Sequence, residues 1–265
     1  MNSWKDWLIQ TVASLAAFVA FLGLWQLAVS SFGIHPITLP APGRVLSTGW
    51  EEREPLSYGF LTTGAAAALG LLQSILVGSC VAVAFSQSKW LRRACYPYVV
   101  FLQTVPIVAI APLLITWFGY EFRTVVFISS IISLFPIISN VTAGLISIDK
   151  GLLELFQMAR ATRWQTLWKL RIPFAISNLI LGCRVSAGLA VIGAIIGEVF
   201  VGPGASGFEG LGTLLTAWQN RARTDAIIAN IFVSTLLGLV MLGFVNLIAT
   251  VALKRWTQSR DFEAE

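Results

Sequence analysis

The chain has 265 residues, of which 56% are hydrophobic and only 12% are charged. An average soluble domain carries roughly 25% charged residues, so this composition excludes a disordered chain and argues against an ordinary soluble enzyme. The net charge of +5 comes with no basic stripe on a polar domain, so no nucleic acid is expected as a partner. The composition indicates an integral membrane protein.

Six apolar stretches are each long enough to cross a bilayer, which takes about 20 residues. They lie at Val12–Phe32, Gly59–Phe85, Tyr96–Phe118, Val125–Ile146, Ile176–Val201 and Ala226–Leu253. We predict a helix for each stretch, because an open strand edge cannot be satisfied in lipid. The predicted fold class is therefore all-α, a polytopic membrane bundle of about six transmembrane helices. The first stretch could also be a cleaved signal peptide, although it exceeds the usual apolar region of roughly 7–15 residues.

The basic residues predict the orientation of these spans. Most of the 18 lysines and arginines fall in the terminal segments and in the connections that follow the second and fourth spans. Five of them lie in the single connection at residues 147–175. Since cytoplasmic connections carry an excess of lysine and arginine, both termini and this connection are predicted to be cytoplasmic.

No large soluble domain interrupts this plan. We predict an N-terminal span with an outside loop at 1–58, a membrane domain at 59–255, and a cytoplasmic tail at 256–265. The three cysteines, Cys80, Cys95 and Cys183, form no CxxC pair and match no metal-site spacing, so no bound metal is expected.

Small residues recur every four positions in two of the predicted spans. They are Gly70, Ser74 and Gly78 in the second span, and Gly193 and Gly197 in the fifth. Such spacing lets helices approach one another closely in lipid. These positions therefore predict tight packing of the bundle rather than a functional site.

Prolines interrupt the third and fourth predicted spans, at Pro106, Pro112 and Pro136. A proline removes an intrahelical hydrogen bond, and the freed carbonyl needs a neighbour or cavity water in lipid. Broken helices near the midplane often line a transport path. The polar side chains that we predict to line such a path are Gln103, Asn140, Thr142 and Glu198. Ordinary kinks with polar groups paired between helices would give the same pattern.

Two ionisable residues, Arg184 and Glu198, lie inside the fifth predicted span. A charge at this depth is expensive and usually faces the interior of the bundle. The two residues share one helix face at a separation of about 21 Å, so they cannot pair directly. Each side chain could instead extend to its own membrane interface.

The connection at residues 147–175 carries an amphipathic helical pattern. Leu152, Leu155, Phe156 and Ala159 recur at helical spacing, with Glu154, Gln157 and Arg160 on the opposite side. The sequence Thr162–Gln165 then fits a capping box, and a second short helix is predicted to stop before Pro173. This helix–elbow–helix could lie on lipid headgroups or could bind a cytoplasmic partner.

The same connection resembles the EAA loop of permease subunits in type I ABC importers. Glu154, Arg160 and Pro173 stand at the spacing of E-A-A-x3-G-x9-I-x-L-P, and Arg163–Thr166 is similar to the RWQT common in that family. Further similar motifs lie at Leu39–Pro42, Phe101–Pro106, Trp117–Gly119, Phe135–Ile137, Gly197–Glu198 and Gly210–Gly212. They resemble permeases of the group for nitrate, sulfonates, taurine, bicarbonate, pyrimidine precursors and riboflavin. The resemblance covers about residues 39–255.

The resemblance implies a non-enzymatic transport subunit, multi-pass in a bacterial plasma (inner) membrane, with no catalytic residues. Cytoplasmic ABC ATPase subunits, which hold ATP and Mg²⁺, would dock on Glu154, Ala159, Arg160, Thr162, Arg163 and Trp164. A periplasmic or lipid-anchored substrate-binding protein would deliver a small anion or heterocycle. Either a second permease copy, in a homodimer, or a similar partner permease would complete the path. This sequence has no G-x-x-x-x-G-K-[ST] motif, so ATP hydrolysis would belong to a separate subunit and this chain would bind no cofactor.

The loop departs from the family pattern at the elbow. The two alanines are Leu155 and Phe156 here, and the glycine is Arg160. Glycine adopts a positive φ at no steric cost, whereas arginine is disfavoured in that conformation. We therefore expect the elbow to be formed differently from that of the family.

Two other classes of protein compete with this interpretation. The sequence Gly204–Gly207 matches the G-x-S-G of rhomboid proteases, which also have six spans. Their serine needs a histidine base, but His35 is the only histidine and is predicted outside the spans, so a protease is disfavoured. A channel or another six-span transporter would explain the spans but not the amphipathic connection.

Overall fold

The computed structural model describes residues 3–204 and 207–261, and the side chains of these except at residues 3–11, 15 and 252–261. The helices are α1 (Ser3–Ser31), α2 (Pro42–Glu51), α3 (Arg53–Gln87), α4 (Lys89–Thr104), α5 (Ile107–Phe118), α6 (Phe122–Ile146), α7 (Lys150–Met158), α8 (Arg163–Thr166), α9 (Ile172–Val201), α10 (Leu211–Asn220) and α11 (Thr224–Asp261). A π turn at Leu167–Arg171 joins α8 to α9. No strand occurs in these ranges, which confirms the all-α prediction. Helices α2 and α10 lie in connections predicted as loops, and the predicted boundary at residue 58 falls inside α3.

Five of the described helices are long and apolar enough to cross a membrane, and α4 with α5 makes a sixth if the pair is one span. The pair is bent by 98°, and the break includes Pro106. Helix α6, by contrast, continues through Pro136. The third predicted span is therefore present as two helices rather than one.

The direction of the neighbouring helices decides how α4 and α5 connect them. Gly70 of α3 faces Ser129 of α6, and Gly78 faces Ile137, so α3 and α6 run parallel. Two parallel spans need a return crossing between them. Helices α4 and α5 therefore act together as one broken span.

Helix α6 lies at the centre of the bundle, between α3 and α9. Gly193 and Gly197 of α9 face Ser129 and Val125, so α9 runs antiparallel to α6. A Cβ added at Gly193 would lie 2.7 Å from the Ser129 Cα. Both stripes of small residues thus lie against α6, and the predicted close packing is confirmed.

Serine hydroxyls reinforce this packing by donating to backbone carbonyls of neighbouring helices. The Ser74 Oγ lies 2.7 Å from the Ser130 oxygen, and the Ser129 Oγ lies 2.8 Å from the Ala190 oxygen. The Ser186 Oγ donates to the Ser133 oxygen at 2.7 Å. Hydrogen bonds of this kind hold helices together where water is absent.

We expect the Gly193→Ala substitution to lower the thermal unfolding midpoint in detergent, because its Cβ would meet the backbone of α6. Forcing one methyl into such a contact costs about 1–3 kcal/mol, which exceeds the gain of about 1 kcal/mol in helix propensity. The matched control is Gly243→Ala in α11, where an added Cβ meets no atom within 4 Å. An unfolding midpoint of Gly193→Ala at or above that of the control would contradict the close approach.

Helices α6 and α9 are joined by the α7–α8 segment at one end of the bundle, which we call the elbow side. The opposite end holds α2 and α10, which contact α11 and α3 there. Asp225 at the start of α11 accepts hydrogen bonds from Thr48 (3.1 Å) and Arg44 (3.3 Å), which tie α2 to α11. Arg223 adds an ion pair with Glu52. Hydrogen bonds and ion pairs therefore hold the helices together at the end of the bundle opposite the elbow side.

Candidate functional site

The α7–α8 segment begins with a local cap. The Asp149 carboxylate accepts a 2.7 Å hydrogen bond from the Gly151 N–H, which stabilises the first turn of α7. Helix α7 ends at Met158. The residues Ala159–Thr162 form the elbow.

Arg160 is the residue that turns the elbow. Its φ is 51°, in the left-handed region that glycine favours. The Ala161 N–H donates to the Phe156 oxygen at 3.0 Å, a bond typical of a helix that ends with a left-handed residue. Our expectation of a different elbow is therefore wrong: arginine takes the glycine conformation, and the strain is stored at this residue.

The predicted capping box is confirmed. The Gln165 N–H donates to the Thr162 Oγ1 at 3.2 Å, and the Thr162 N–H donates to the Gln165 Oε1 at 2.8 Å. The second limb of the elbow therefore begins with two satisfied backbone donors.

The second limb does not stop before Pro173, which contradicts our prediction. Helix α8 passes through the π turn into α9 as one continuous helix, Arg163–Val201. The π turn shifts the hydrogen-bond register, since the Ile172 N–H bonds to the Leu167 oxygen. Pro173 then lies in the first turn of α9, where its missing N–H and fixed φ are tolerated. The elbow is consequently joined directly to a membrane span.

Helix α7 has no buried residue. Its apolar side chains lie open, with Leu155 59% exposed and Met158 82% exposed. Trp164 and Trp168 of the second limb are also exposed, at 69% and 64%. The six residues predicted as a docking surface, Glu154, Ala159, Arg160, Thr162, Arg163 and Trp164, lie together on this segment, each of them exposed. Large apolar side chains left uncovered in this way mark a surface that binds something else.

A cavity of about 400 Å³ lies at the α4–α5 break, against α6 and α9. Gln103 and Asn140 both line it, together with Ser139. The Asn140 Nδ2 donates to the Pro136 oxygen at 2.8 Å, and the Tyr96 hydroxyl lies 3.2 Å from the Ser139 Oγ. The structure thus brings two of the predicted path residues to one cavity. Its apolar lining residues Val185 and Leu189 of α9 were not predicted, because nothing in an apolar run distinguishes a cavity wall from the core.

Thr142 and Glu198 lie elsewhere. Thr142 is buried, and its Oγ1 has no hydrogen-bond partner among the described residues. Glu198 is fully buried at the far end of α9, where its Oε2 accepts 2.8 Å bonds from the Thr63 hydroxyl and the Gly212 N–H. Glu198 therefore fixes the start of α10 to α3 and α9.

Gly210 and Gly212 make room for this carboxylate. An added Cβ at either position would overlap Glu198, and at Gly212 it would also overlap the Ile195 oxygen. The Thr63 Oγ1 accepts a 2.8 Å bond from the Leu211 N–H, so the first turn of α10 is satisfied from neighbouring helices. The sequence motif Gly210–Gly212 thus serves a close approach of helices.

The described residues hold no group of three or more His, Cys, Asp or Glu placed to bind a metal ion. Ser206 of the G-x-S-G sequence lies outside the described residues. The Nδ1 of His35 accepts a 3.3 Å bond from the Ile37 N–H within its own turn.

Comparison with known proteins gives consistent matches along the chain. Residues 74–256 match the family described as binding-protein-dependent transport system inner membrane component. The chain is 32% identical to the formylaminopyrimidine transport permease protein ThiX of Halalkalibacterium halodurans, over 86% of this chain and 88% of ThiX. It is 30% identical to the riboflavin transport system permease protein RibX of Chloroflexus aurantiacus, over 90% and 87%. Its fold is similar to that of a bacterial ABC transporter involved in the import of alginate, with a TM-score of 0.58 at 20% identity, covering 93% of this chain and 98% of that one.

Proposed function

Since the chain belongs to the family of binding-protein-dependent transport system inner membrane components, we propose that it forms half of the solute path in an ATP-driven importer. It is a multi-pass inner-membrane permease subunit of the ABC importer type. A second copy would complete the path as a homodimer, and separate ATPase subunits would bind and hydrolyse MgATP. A substrate-binding protein would deliver the solute at the end that holds α2 and α10.

The exposed surface of the α7–α8 segment is the observation that supports the ATPase as a partner. Its apolar residues Leu155, Met158 and Trp164 have no cover within the described chain. Helix α8 of this segment is continuous with α9, so a partner bound to the segment would be linked directly to a membrane span. We propose that the ATPase docks on the surface formed by Glu154, Ala159, Arg160, Thr162, Arg163 and Trp164, which places the elbow side in the cytoplasm.

A helix lying on lipid headgroups explains α7 less well. Such helices carry a polar face rich in lysine and arginine. Helix α7 has one basic residue, Lys150, and one acidic residue, Glu154. A partner protein with a matching apolar groove explains the exposed apolar face of α7 better.

The cavity at the α4–α5 break supports a path beside α6 and α9. Broken helices at a cavity leave backbone groups free to meet water or solute without exposing them to lipid. We propose that Gln103 and Asn140 line the path, with Ser139 beside them. Relatives are named for solutes as different as riboflavin, aliphatic sulfonates and bicarbonate, so the proposed solute is a small anion or a small heterocycle.

Purification of the tagged protein from its native membranes tests the proposal. An ATPase subunit should co-purify, and the reconstituted complex should hydrolyse ATP faster when the binding protein is added. Intact tagged protein that brings down no ATPase subunit would contradict an importer, and solute flux that needs no ATP would identify a channel.

The strained elbow gives a matched pair of substitutions. Arg160→Val should lower the co-purified ATPase about tenfold, because a β-branched residue meets roughly 1–3 kcal/mol of strain at a positive φ. Arg160→Gly should retain more of the ATPase than Arg160→Val, since both variants lose the arginine side chain but glycine adopts the same φ freely. Equal recovery of the ATPase with both variants would show that this elbow conformation is not needed for docking.

A further inference from the structure

Arg184 lies near the middle of the membrane-spanning part of α9. A Cβ added at Gly182 would lie 3.2 Å from the Pro136 oxygen of α6. Gly182 of α9 and Pro136 of α6 therefore lie at the same height along the bundle. Pro136 is about 15 Å along the axis from the elbow-side end of α6 at Ile146 and about 21 Å from its other end. Arg184 is about 3 Å further from the elbow than Gly182, so it stands close to the centre of both helices.

The Arg184 side chain is exposed at this depth and forms no salt bridge with any described residue. An arginine at the centre of a span costs at least about 2.5–3.5 kcal/mol when it faces lipid. Extension of the side chain toward an interface covers only part of the distance. The surface around Arg184 must therefore face protein or water rather than lipid.

The surroundings of Arg184 are those of a path wall. On one side Arg184 and Gly188 line a groove of about 520 Å³ between α9 and α11, whose walls are otherwise mostly apolar. On the other side the adjacent residues Val185 and Leu189 line the cavity that holds Gln103 and Asn140. A Cβ added at Gly188, one turn from Arg184, meets no atom within 4 Å. The guanidinium thus stands on a ridge between two open spaces.

No acidic residue of the described spans can neutralise Arg184. Glu54 and Asp225 lie in the first turns of α3 and α11. Glu198 is about 21 Å away and already holds Thr63 and Gly212. A second copy of the chain offers the same residues at the same depths, so a counter-charge for the guanidinium would have to come from outside the permease.

We propose that Arg184 is an anion-binding subsite on the solute path, which takes a small solute that carries a carboxylate or sulfonate group or is itself an oxyanion. The inference rests on the proposed importer function. A guanidinium donates two parallel hydrogen bonds to such an oxyanion, and the mostly apolar walls beside it strengthen the interaction by lowering the local dielectric constant. In a symmetric pair of copies two such groups would face the path, and a passing anion would relieve their repulsion.

The test measures how fast charged thiol reagents modify Gly188→Cys in the assembled transporter, in a background with Cys80, Cys95 and Cys183 replaced by alanine. The anionic probe is sulfonatoethyl methanethiosulfonate, and the cationic probe is its trimethylammonium analogue. Leu76→Cys in α3 is the depth-matched control on another exposed surface and should stay unmodified. The ratio of anionic to cationic rate should fall about tenfold with Arg184→Gln, the low end of the enrichment that a charged cleft gives. Arg184→Lys should keep most of the ratio.

Two outcomes would overturn the subsite. Gly188→Cys that reacts with neither probe would show that this face is not lined by water. A ratio that Arg184→Gln leaves unchanged would show that Arg184 does not attract anions there. Co-purified ATPase is measured on the same samples, so a normal ATPase level with either outcome rejects the subsite while the importer function stands.

Discussion

Replacing Leu155 by aspartate is expected to remove most of the ATPase subunit that we propose co-purifies with this permease. Leu155 is 59% exposed on a helix without buried residues, so the monomer has little to lose from the change. A carboxylate placed in an apolar docking groove should cost the complex about 2 kcal/mol or more, the scale of an interface hot spot. That energy corresponds to roughly a thirtyfold weaker association. The measurement is the ratio of ATPase subunit to tagged permease after purification.

Gln157→Asp is the matched control for this experiment. It adds the same charge to the same helix, but at an exposed polar position on the other side of α7. The ATPase ratio of Gln157→Asp should fall much less than that of Leu155→Asp, because Gln157 lies with Glu154 and Arg160 on the polar side of α7. Equal losses in the two variants would point to charge alone and would contradict docking through the apolar face. No loss in either would leave lipid headgroups as the cover of α7.

Replacing Glu198 by alanine should produce the largest loss of stability. The substitution leaves the Gly212 N–H and the Thr63 hydroxyl without their shared acceptor in a buried position. Buried donors left unsatisfied cost about 1–3 kcal/mol each, and loss of the buried carboxylate offsets only part of this. For a chain of this size we expect the thermal unfolding midpoint in detergent to fall by roughly 5–10 °C.

Glu198→Gln separates hydrogen bonding from charge. One oxygen, Oε2, accepts both bonds, while Oε1 has no partner among the described residues. A glutamine oxygen in the Oε2 position would keep both bonds, but the buried NH2 group would have no acceptor among the described residues, so this variant should unfold between wild type and Glu198→Ala. An unfolding midpoint of Glu198→Gln as low as that of Glu198→Ala would show that the negative charge, rather than the hydrogen bonds, holds α10 in place.

Features governed by neighbouring residues in the sequence could be predicted. The capping box of Thr162 and Gln165 depends on a spacing of three residues, and it forms as expected. The glycine stripes also act through a simple rule, since a residue without a side chain lets another backbone approach. Gly193 and Gly70 both meet Ser129 for this reason.

Features that depend on the rest of the fold could not be predicted. Pro173 normally indicates a helix end, but a π turn just before it lets the helix continue. Glu198 looked like a path residue, because its sequence shows a charge in a span and does not show that Thr63 and Gly212 lie against it. The elbow conformation of Arg160 likewise needed the structure, since arginine by itself disfavours a positive φ.

The α7–α8 segment is attached at its two ends to α6 and α9, which pack closely against each other. Only residues 147–149 separate α6 from α7, and α8 continues into α9 without a break. Along the pair, Gly144 lies against Ala175 and Asn178, and Gly193 lies against Ser129, so neither helix can slide freely past the other. We therefore expect a force on α7 to be transmitted to both α6 and α9. Such a force should tilt α6 and α9 together, with the 98° bend between α4 and α5 as the hinge.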